Sequence, residues 1–192
     1  MSTIIHWKLL PLNEIQLSNP DFSYDCSYNR RTHYDFNFSN SDNLNDWYIM
    51  DDVVMGGRSD GHFSINNQNK GEFSGTVSLE NYGGFSSVRY GVSTQKVDGH
   101  QKCIFRIKGD GKRYQLRLKS SKRDRHSYIQ YFDTSGEWET ITLELNEFHP
   151  SFRGRLLSIP NFPGDELEEI PFLIANKKAE TFKLELDWME LR

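Results

Sequence analysis

The sequence predicts an all-β protein, a β-sandwich of the jelly-roll type. From residue 33 onward, apolar side chains alternate with polar ones, which is the pattern of a strand with one buried face. Asp-Gly and Ser-Gly pairs, which favour tight turns, separate several of these runs. No stretch keeps the period of an amphipathic helix for more than about ten residues. Short antiparallel strands with polar outer faces pack as two layers.

Residues 1–32 are predicted to be an irregular N-terminal extension, and residues 33–192 to be the sandwich. In the extension the apolar pattern is weak, and Pro11 and Pro20 limit any helix to a turn or two. A chain of 192 residues is long enough for one domain with one substantial core. Aromatic residues make up 14% of the sequence and all apolar residues 36%, so aromatic rings must supply much of that core.

The predicted strands follow one another along the sandwich. They are 33–38, 62–65, 71–79, 85–90, 103–108, 114–119, 128–132, 140–145, 170–174 and 182–188. Gly75 lies inside one of them and predicts a β-bulge, and Pro171 predicts a strand start or an edge strand. Turns are predicted at Asp60-Gly61, Asp98-Gly99, Asp110-Gly111 and Ser135-Gly136.

Charge and composition argue against several classes of protein. The net charge of −4 does not favour nucleic acid as a partner of the whole chain. The two cysteines, Cys26 and Cys103, are too few for a disulfide scaffold, and both are predicted to be reduced, with Cys103 buried. No apolar run approaches the ~18–20 residues of a membrane span, and the first twenty residues lack the pattern of a secretory or mitochondrial targeting segment. We therefore expect a cytoplasmic protein without membrane insertion.

The stretch 47–89 contains the best cluster of candidate functional residues. Its acids and arginines can form a charged rim that binds a partner or ligand through charge-assisted hydrogen bonds. The same residues can instead pair with one another, or with backbone N–H groups, and hold a long connection in place. Both interpretations need the same residue types, so both stay open. The candidate binding residues are Asp51, Asp52, Arg58, Glu80, Asn81 and Arg89.

No catalytic set is visible, and we expect a protein that is not an enzyme. Residues 57–61 match the G-x-S-x-G pattern, but a nucleophilic Ser59 would need a helix after it, and a strand is predicted there. The six histidines do not form metal-ligand pairs. Asp51, Asp52 and Asp60 are the carboxylates that could hold Ca²⁺, but they lack EF-hand spacing. We expect no metal and no cofactor.

The segment 106–126 is strongly basic, with nine lysines and arginines against two aspartates. Gln115, Arg117 and Lys119 share one strand face, so one interpretation is a basic surface that binds RNA, phosphate or an acidic protein. Alternatively, this is a solvated sheet face whose cations pair with acids of neighbouring strands, such as Glu144 and Glu185. No aromatic residue is expected on the same face, which gives little support to binding of single-stranded nucleic acid.

Seven blocks of residues carry a resemblance to a known family. They are Trp47 with DDVVMGGRS (51–59), FSG (73–75) with LEN (79–81), GGFSSVR (83–89), GDGKRY (109–114), GEW (136–138), FHPSFRGR (148–155) and LELDW (184–188). In this order they resemble the complex I intermediate-associated protein family, whose members are jelly-roll domains of the galactose-binding-like type. The chain departs from the family at Pro171, where members tend to carry glycine.

The resemblance implies chaperone-like work in the assembly of respiratory complex I, the NADH:ubiquinone oxidoreductase. We therefore predict a non-enzymatic module that binds a protein partner through the loops of 50–60 and 80–89. The alternative is a domain that binds a small ligand or carbohydrate at the loop end of the sandwich. A weaker alternative is nucleic-acid binding through residues 106–126.

Overall fold

The computed structural model consists of two antiparallel sheets that face each other across a shared core. The structure describes residues 34–39 and 43–192. The predicted extension, including Cys26, lies outside these residues, so the predicted domain boundary stays a prediction. Within the described residues the helical segments are three short 3₁₀ turns, and none is long or apolar enough to cross a bilayer.

The strands confirm the predicted all-β sandwich. They are β1 (Tyr34–Asn37), β2 (Trp47–Asp51), β3 (Asp60–Ile65), β4 (Gly71–Val77), β5 (Ser86–Lys96), β6 (Lys102–Lys108), β7 (Arg113–Leu118), β8 (Ser127–Asp133), β9 (Trp138–Glu144), β10 (His149–Phe152), β11 (Arg155–Leu156), β12 (Glu166–Ile174) and β13 (Glu180–Leu191). The six-stranded sheet has the order β3-β4-β13-β6-β9, and β1 also pairs with β13. The seven-stranded sheet has the order β11-β10-β8-β7-β12-β5-β2.

Aromatic rings join the two sheets. Phe172 of β12 lies 5.8 Å from Phe105 of β6, 6.3 Å from Phe36 of β1 and 6.4 Å from Phe132 of β8, measured between ring centroids. All three contacts are edge-to-face, a geometry that stabilises by roughly 0.5–1.5 kcal/mol per pair beyond burial. Cys103 is fully buried in the same core, as predicted.

Gly75 does not form the predicted bulge. It pairs with Gly61 of β3 on one side and with Phe182 of β13 on the other, and the register of both pairings is continuous. A β-carbon at Gly75 would lie only 2.0 Å from the backbone oxygen of Asp60. Glycine is needed here because two backbones approach each other closely, which is the other use of glycine inside a strand.

Pro171 is neither a strand start nor part of an edge strand. It lies in the middle of β12, a strand with neighbours on both sides, and it pairs with Arg89 of β5. The regular ladder between β12 and β7 stops at Phe172 and resumes only as an isolated bridge between Lys119 and Glu169. Proline has no N–H to donate to a neighbouring strand, which accounts for the interruption.

Asp60-Gly61 is also not the predicted turn, since both residues belong to β3. A β-carbon at Gly61 would lie 2.2 Å from the hydroxyl oxygen of Ser86, so this glycine again permits a close approach. The other three predicted turns lie between strands, and their glycines have positive φ: Gly99 (82°), Gly111 (79°) and Gly136 (91°).

Replacing Gly75 with alanine should lower the free energy of unfolding by roughly 1–3 kcal/mol, because the new methyl group overlaps the Asp60 carbonyl. Urea denaturation measures the effect. Thr76→Ala, at an exposed position on the same strand, is the matched control and should change stability by less than about 0.5 kcal/mol. A Gly75→Ala protein as stable as the control would contradict the close approach.

Candidate functional site

The structure distributes the six candidate residues over three different places. Asp51 and Asp52 are engaged by hydrogen bonds within the fold. Arg58 and Glu80 form an exposed ion pair of 2.9 Å, next to the exposed Asn81. Arg89 projects from the other face of its sheet. A binding role for these residues stays a prediction, but they do not form the single cluster that their spacing in the sequence suggested.

The carboxylate of Asp52 is fully buried and accepts four hydrogen bonds. Ser59 donates from its backbone N–H to Oδ1 (2.9 Å) and from its hydroxyl to Oδ2 (2.5 Å). The N–H groups of Gly84 (2.6 Å) and Phe85 (3.2 Å) donate to Oδ2. A buried carboxylate with this many donors is stabilised in its charged form. Asp52 therefore holds together two segments that are far apart in sequence.

We call residues 52–59 and 78–85 the paired loops. Ser59 is buried, and its hydroxyl also accepts a hydrogen bond of 3.0 Å from the N–H of Ser78. The glycines lie close to the Asp52 carboxylate: a β-carbon would be 2.2 Å from Oδ1 at Gly57 and 2.6 Å from Oδ2 at Gly83. One glycine of each Gly-Gly pair thus allows backbone to approach the buried acid.

Asp51 connects the two sheets at the same end of the sandwich. Its Oδ2 accepts a hydrogen bond of 2.8 Å from the N–H of Gly61 in β3, and its Oδ1 accepts one of 2.5 Å from the hydroxyl of Ser86 in β5. Since Asp51 and Asp52 each accept from protein donors, their oxygens face hydrogen atoms. No group of three or more His, Cys, Asp or Glu side chains in the described part of the chain is arranged to hold a metal ion.

The paired loops also present apolar side chains to solvent. β4 ends at Val77, two residues before the predicted end of the strand, and Leu79 is therefore exposed. Asn81 and Tyr82 both have left-handed backbone conformations, with φ of 54° and 63°. The Tyr82 side chain is fully exposed, and Val53 on the other loop is exposed as well. A non-glycine residue at positive φ is uncommon, and two in succession are a reason to look for a function.

Arg89 belongs to a second constellation, on the face of the seven-stranded sheet that points away from the core. We call this surface the outer face. Glu169 of β12 is buried there, accepting a hydrogen bond of 2.8 Å from Arg89 Nη1 and another from the Tyr48 hydroxyl. The pKa of Tyr48 is raised to about 12, mainly by burial and to a smaller extent by the hydrogen bond with Glu169. The three residues come from three adjacent strands.

The polar stripe of β7 lies on the same outer face and is not the solvated surface that we predicted. Gln115 and Lys119 are buried and Arg117 is partly buried. Arg117 donates from Nε (3.1 Å) and Nη2 (2.7 Å) to the side-chain oxygen of Gln115. The pKa of Arg117 is lowered to about 10, mainly by burial and to a smaller extent by the positive charge of the nearby Arg89. Burial also lowers the pKa of Lys119, whose ammonium donates to the backbone oxygen of Asp124 (2.6 Å).

The basic segment 106–126 does not form one surface. Arg106 lies on β6 of the six-stranded sheet and pairs with the buried Asp187, whereas Arg117 lies on β7 of the other sheet. The expectation that no aromatic residue shares the face of Arg117 is also wrong. Tyr131 of β8 lies opposite Gln115, and Tyr48 of β2 lies opposite Arg89. The pairing of the strands reveals this: Tyr131 lies on the next strand along the chain, whereas Tyr48 is far from β7 in sequence.

Comparison with known proteins identifies a family. The model of the family described as Complex I intermediate-associated protein 30 matches residues 36–186, which is most of the chain and nearly all of the described sandwich.

Solved structures with a similar fold include carbohydrate-binding modules. The family 11 module of the cellulosomal cellulase Lic26A-Cel5E of Clostridium thermocellum has a TM-score of 0.57 and 18% identity, covering 78% of this chain and 88% of the module. A family 11 module from Clostridium thermocellum in complex with a β-1,3-1,4-mixed-linked tetrasaccharide has a TM-score of 0.54 and 19% identity, covering 79% and 92%. At these identities the likeness establishes the fold alone, a two-sheet antiparallel sandwich.

Asp52→Asn should lower the free energy of unfolding by roughly 2–4 kcal/mol, because the amide keeps the shape of the carboxylate but sets a donor against N–H donors. Chemical denaturation with matched circular dichroism measures the loss. Arg58→Ala, which breaks only the exposed pair with Glu80, should cost far less. Equal stability of the two variants would show that the four hydrogen bonds do not hold the paired loops.

Stability should also depend on acid pH. Burial alone would raise the pKa of Asp52, but hydrogen bonds from Ser59, Gly84 and Phe85 outweigh it, so the pKa lies below its ordinary value of 3.8. A depressed pKa contributes stability that is fully present above the unfolded-state pKa and is lost as the pH falls through the folded-state value. The melting temperature of the wild type should therefore fall below pH 3.8. The fall should be shallower in Asp52→Asn, and an identical pH profile would contradict the assignment.

Proposed function

The chain belongs to the complex I intermediate-associated protein 30 family, and from this membership we propose that it is a non-enzymatic module in the assembly of respiratory complex I. It binds a protein of an assembly intermediate, and the paired loops form part of the binding surface. The family description supports the link to complex I intermediates. The paired loops are the observation from which we locate the surface.

Exposed apolar side chains on the paired loops support a protein-binding role. Tyr82 is 102% exposed and Leu79 is 46% exposed, and Val53 projects from the opposite loop. Burying such side chains against a partner contributes roughly 25 cal/mol per Å² of apolar area. Tyrosine is also among the residues that contribute most to protein interfaces. The exposed Arg58–Glu80 pair lies beside them and supplies the polar rim that interfaces usually have.

The buried hydrogen bonds below these side chains give the surface a fixed shape. Asp52 and Ser59 tie the two loops together before any partner arrives. A preorganised surface loses less conformational entropy on binding, which increases affinity. The left-handed backbone at Asn81 and Tyr82 costs on the order of 1–3 kcal/mol per residue. That cost is repaid if the turn presents Tyr82 to a partner.

A small ligand or carbohydrate at the loop end of the sandwich stays the alternative prediction. The carbohydrate-binding modules share the fold with this chain, and at 18–19% identity their ligands do not transfer. Nucleic-acid binding has less support, because residues 106–126 are divided between two sheets. The cytoplasmic location also remains a proposal.

Affinity purification from the native host, with mass spectrometry, tests the proposed function. The tagged wild type should enrich complex I subunits. Leu79→Ser combined with Tyr82→Ser should reduce that enrichment by at least about tenfold, because two contact residues of an interface are removed. Both side chains are exposed, so the melting temperature should stay unchanged.

Leu156→Ser is the matched control, since Leu156 is a 71% exposed leucine on β11, outside the paired loops. It should retain the partner. Failure of the wild type to enrich any complex I subunit would overturn the assembly role. Enrichment that survives in the double variant would overturn the paired loops as the binding surface while leaving the assembly role intact.

A further inference from the structure

Two arginines lie on either side of a proline on the outer face. Pro171 pairs with Arg89 on one side, and because Leu173 pairs with Gln115, the antiparallel register brings Pro171 beside Arg117 on the other. The three residues thus form a row across β5, β12 and β7. Pro171 itself is buried, whereas Arg89 and Arg117 are partly exposed, so the arginine side chains are the parts of this row that a ligand can reach.

The positive charge of Arg117 is not balanced by an acid within the described residues. Arg89 pairs with Glu169, and Arg113 pairs with Asp133, but Arg117 is hydrogen-bonded only to the neutral Gln115. Its Nη1 donates to none of the described residues. A partly buried cation without a counter-charge is unfavourable unless something else supplies one. The guanidinium fork matches the two oxygens of a carboxylate or phosphate.

Exposed aromatic rings lie on both sides of the arginines. Tyr131 of β8 is 50% exposed and Tyr48 of β2 is 41% exposed. The two tyrosines are four strands apart, which corresponds to roughly 19 Å at the usual strand spacing. Aromatic rings on a sheet face offer flat apolar surfaces to the body of a ligand, while the charged groups between them fix its orientation.

We propose that this outer face binds a small organic anion, whose carboxylate or phosphate group is held by Arg117 and whose ring packs against Tyr131. Arg89 adds positive potential but keeps its own partner, Glu169. The site is on a sheet face and uses none of the residues of the paired loops, so it can be occupied while a protein is bound there. The protein could then bind a small molecule and its protein partner at the same time.

Nuclear magnetic resonance titration of the full chain with glucuronate, glucose 6-phosphate and glucose tests the proposal. Either acid should bind at least about tenfold more tightly than glucose, because its charge is the group recognised. Preference for glucuronate or for glucose 6-phosphate distinguishes a carboxylate site from a phosphate site. The shifted amides should lie on β5, β7 and β12. Absence of saturable binding, or equal binding of glucose, would overturn the proposal.

Arg117→Gln should weaken the binding of the acid by at least about tenfold. Arg155→Gln removes an exposed arginine from β11, three strands away in the same sheet, and should leave binding within about twofold of the wild type. If both arginine-to-glutamine variants weakened binding equally, the effect would come from general surface charge, and the proposed site would be overturned. Arg117→Lys, which retains the charge without the planar fork, is the second variant, and it should fold normally and bind more weakly than the wild type.

The melting temperature separates a ligand-binding arginine from a structural one. Arg117→Gln should match or exceed the wild type in the absence of ligand, because a partly buried cation with no acidic partner is removed. A lower melting temperature combined with unchanged binding would show that Arg117 serves the fold, and would overturn the proposal.

Discussion

The packing of Phe172 between the two sheets fixes which side chains of β12 point into the core and which point outward. Its contacts with Phe36, Phe105 and Phe132 join strands of both sheets. Because side chains alternate along a strand, a residue that points into this core sends its neighbours outward. Pro171 and Leu173, on either side of Phe172, therefore form the middle of the outer face. Aromatic residues make up 14% of the chain, and their packing supplies much of the hydrophobic stabilisation.

Two kinds of buried or partly buried charge can be distinguished among the described residues. Asp52 is surrounded by donors from its own chain, and Asp187 lies against Lys70 and Arg106. These carboxylates make their hydrogen bonds and ion pairs within the protein, and these interactions hold loops and strands together. Arg117 differs, because the protein desolvates it and supplies no described acid. A group that is desolvated but not neutralised has an interaction left to make, and this distinction separates the structural charges from the candidate ligand site.

Alternation of apolar and polar residues was sufficient to predict most of the strands and much of the core, including Cys103, but it missed β2, β10 and β11. It was not sufficient to predict which strands are neighbours. Asp51 and Arg89 were grouped because both lie in one informative stretch, yet β2 and β5 pair so that Asp51 is opposite Ser86 and Tyr48 is opposite Arg89. Residues an odd number of positions apart on a strand point to opposite faces. The acid that Arg89 contacts, Glu169, is 80 residues away in the chain.

The glycines and prolines show that backbone geometry, too, depends on strand neighbours that the sequence does not predict. Gly75 and Pro171 were interpreted from local preferences, a bulge and a strand edge. Their meaning in the fold comes from the strand beside them, Asp60 in the first case and the interrupted ladder to β7 in the second. Single residues of these types predict that something unusual happens in the backbone. What happens depends on a neighbour that the sequence does not identify.

The position of β13 has a consequence for synthesis on the ribosome. β13 follows every other described strand in the chain, yet it lies between β4 and β6 at the centre of the six-stranded sheet. The pairs β3–β4 and β6–β9 can form early, but each keeps an open edge until Glu180–Leu191 has been made. Open edges of this kind pair readily with other chains. The chain would thus need protection during translation for as long as β13 is missing.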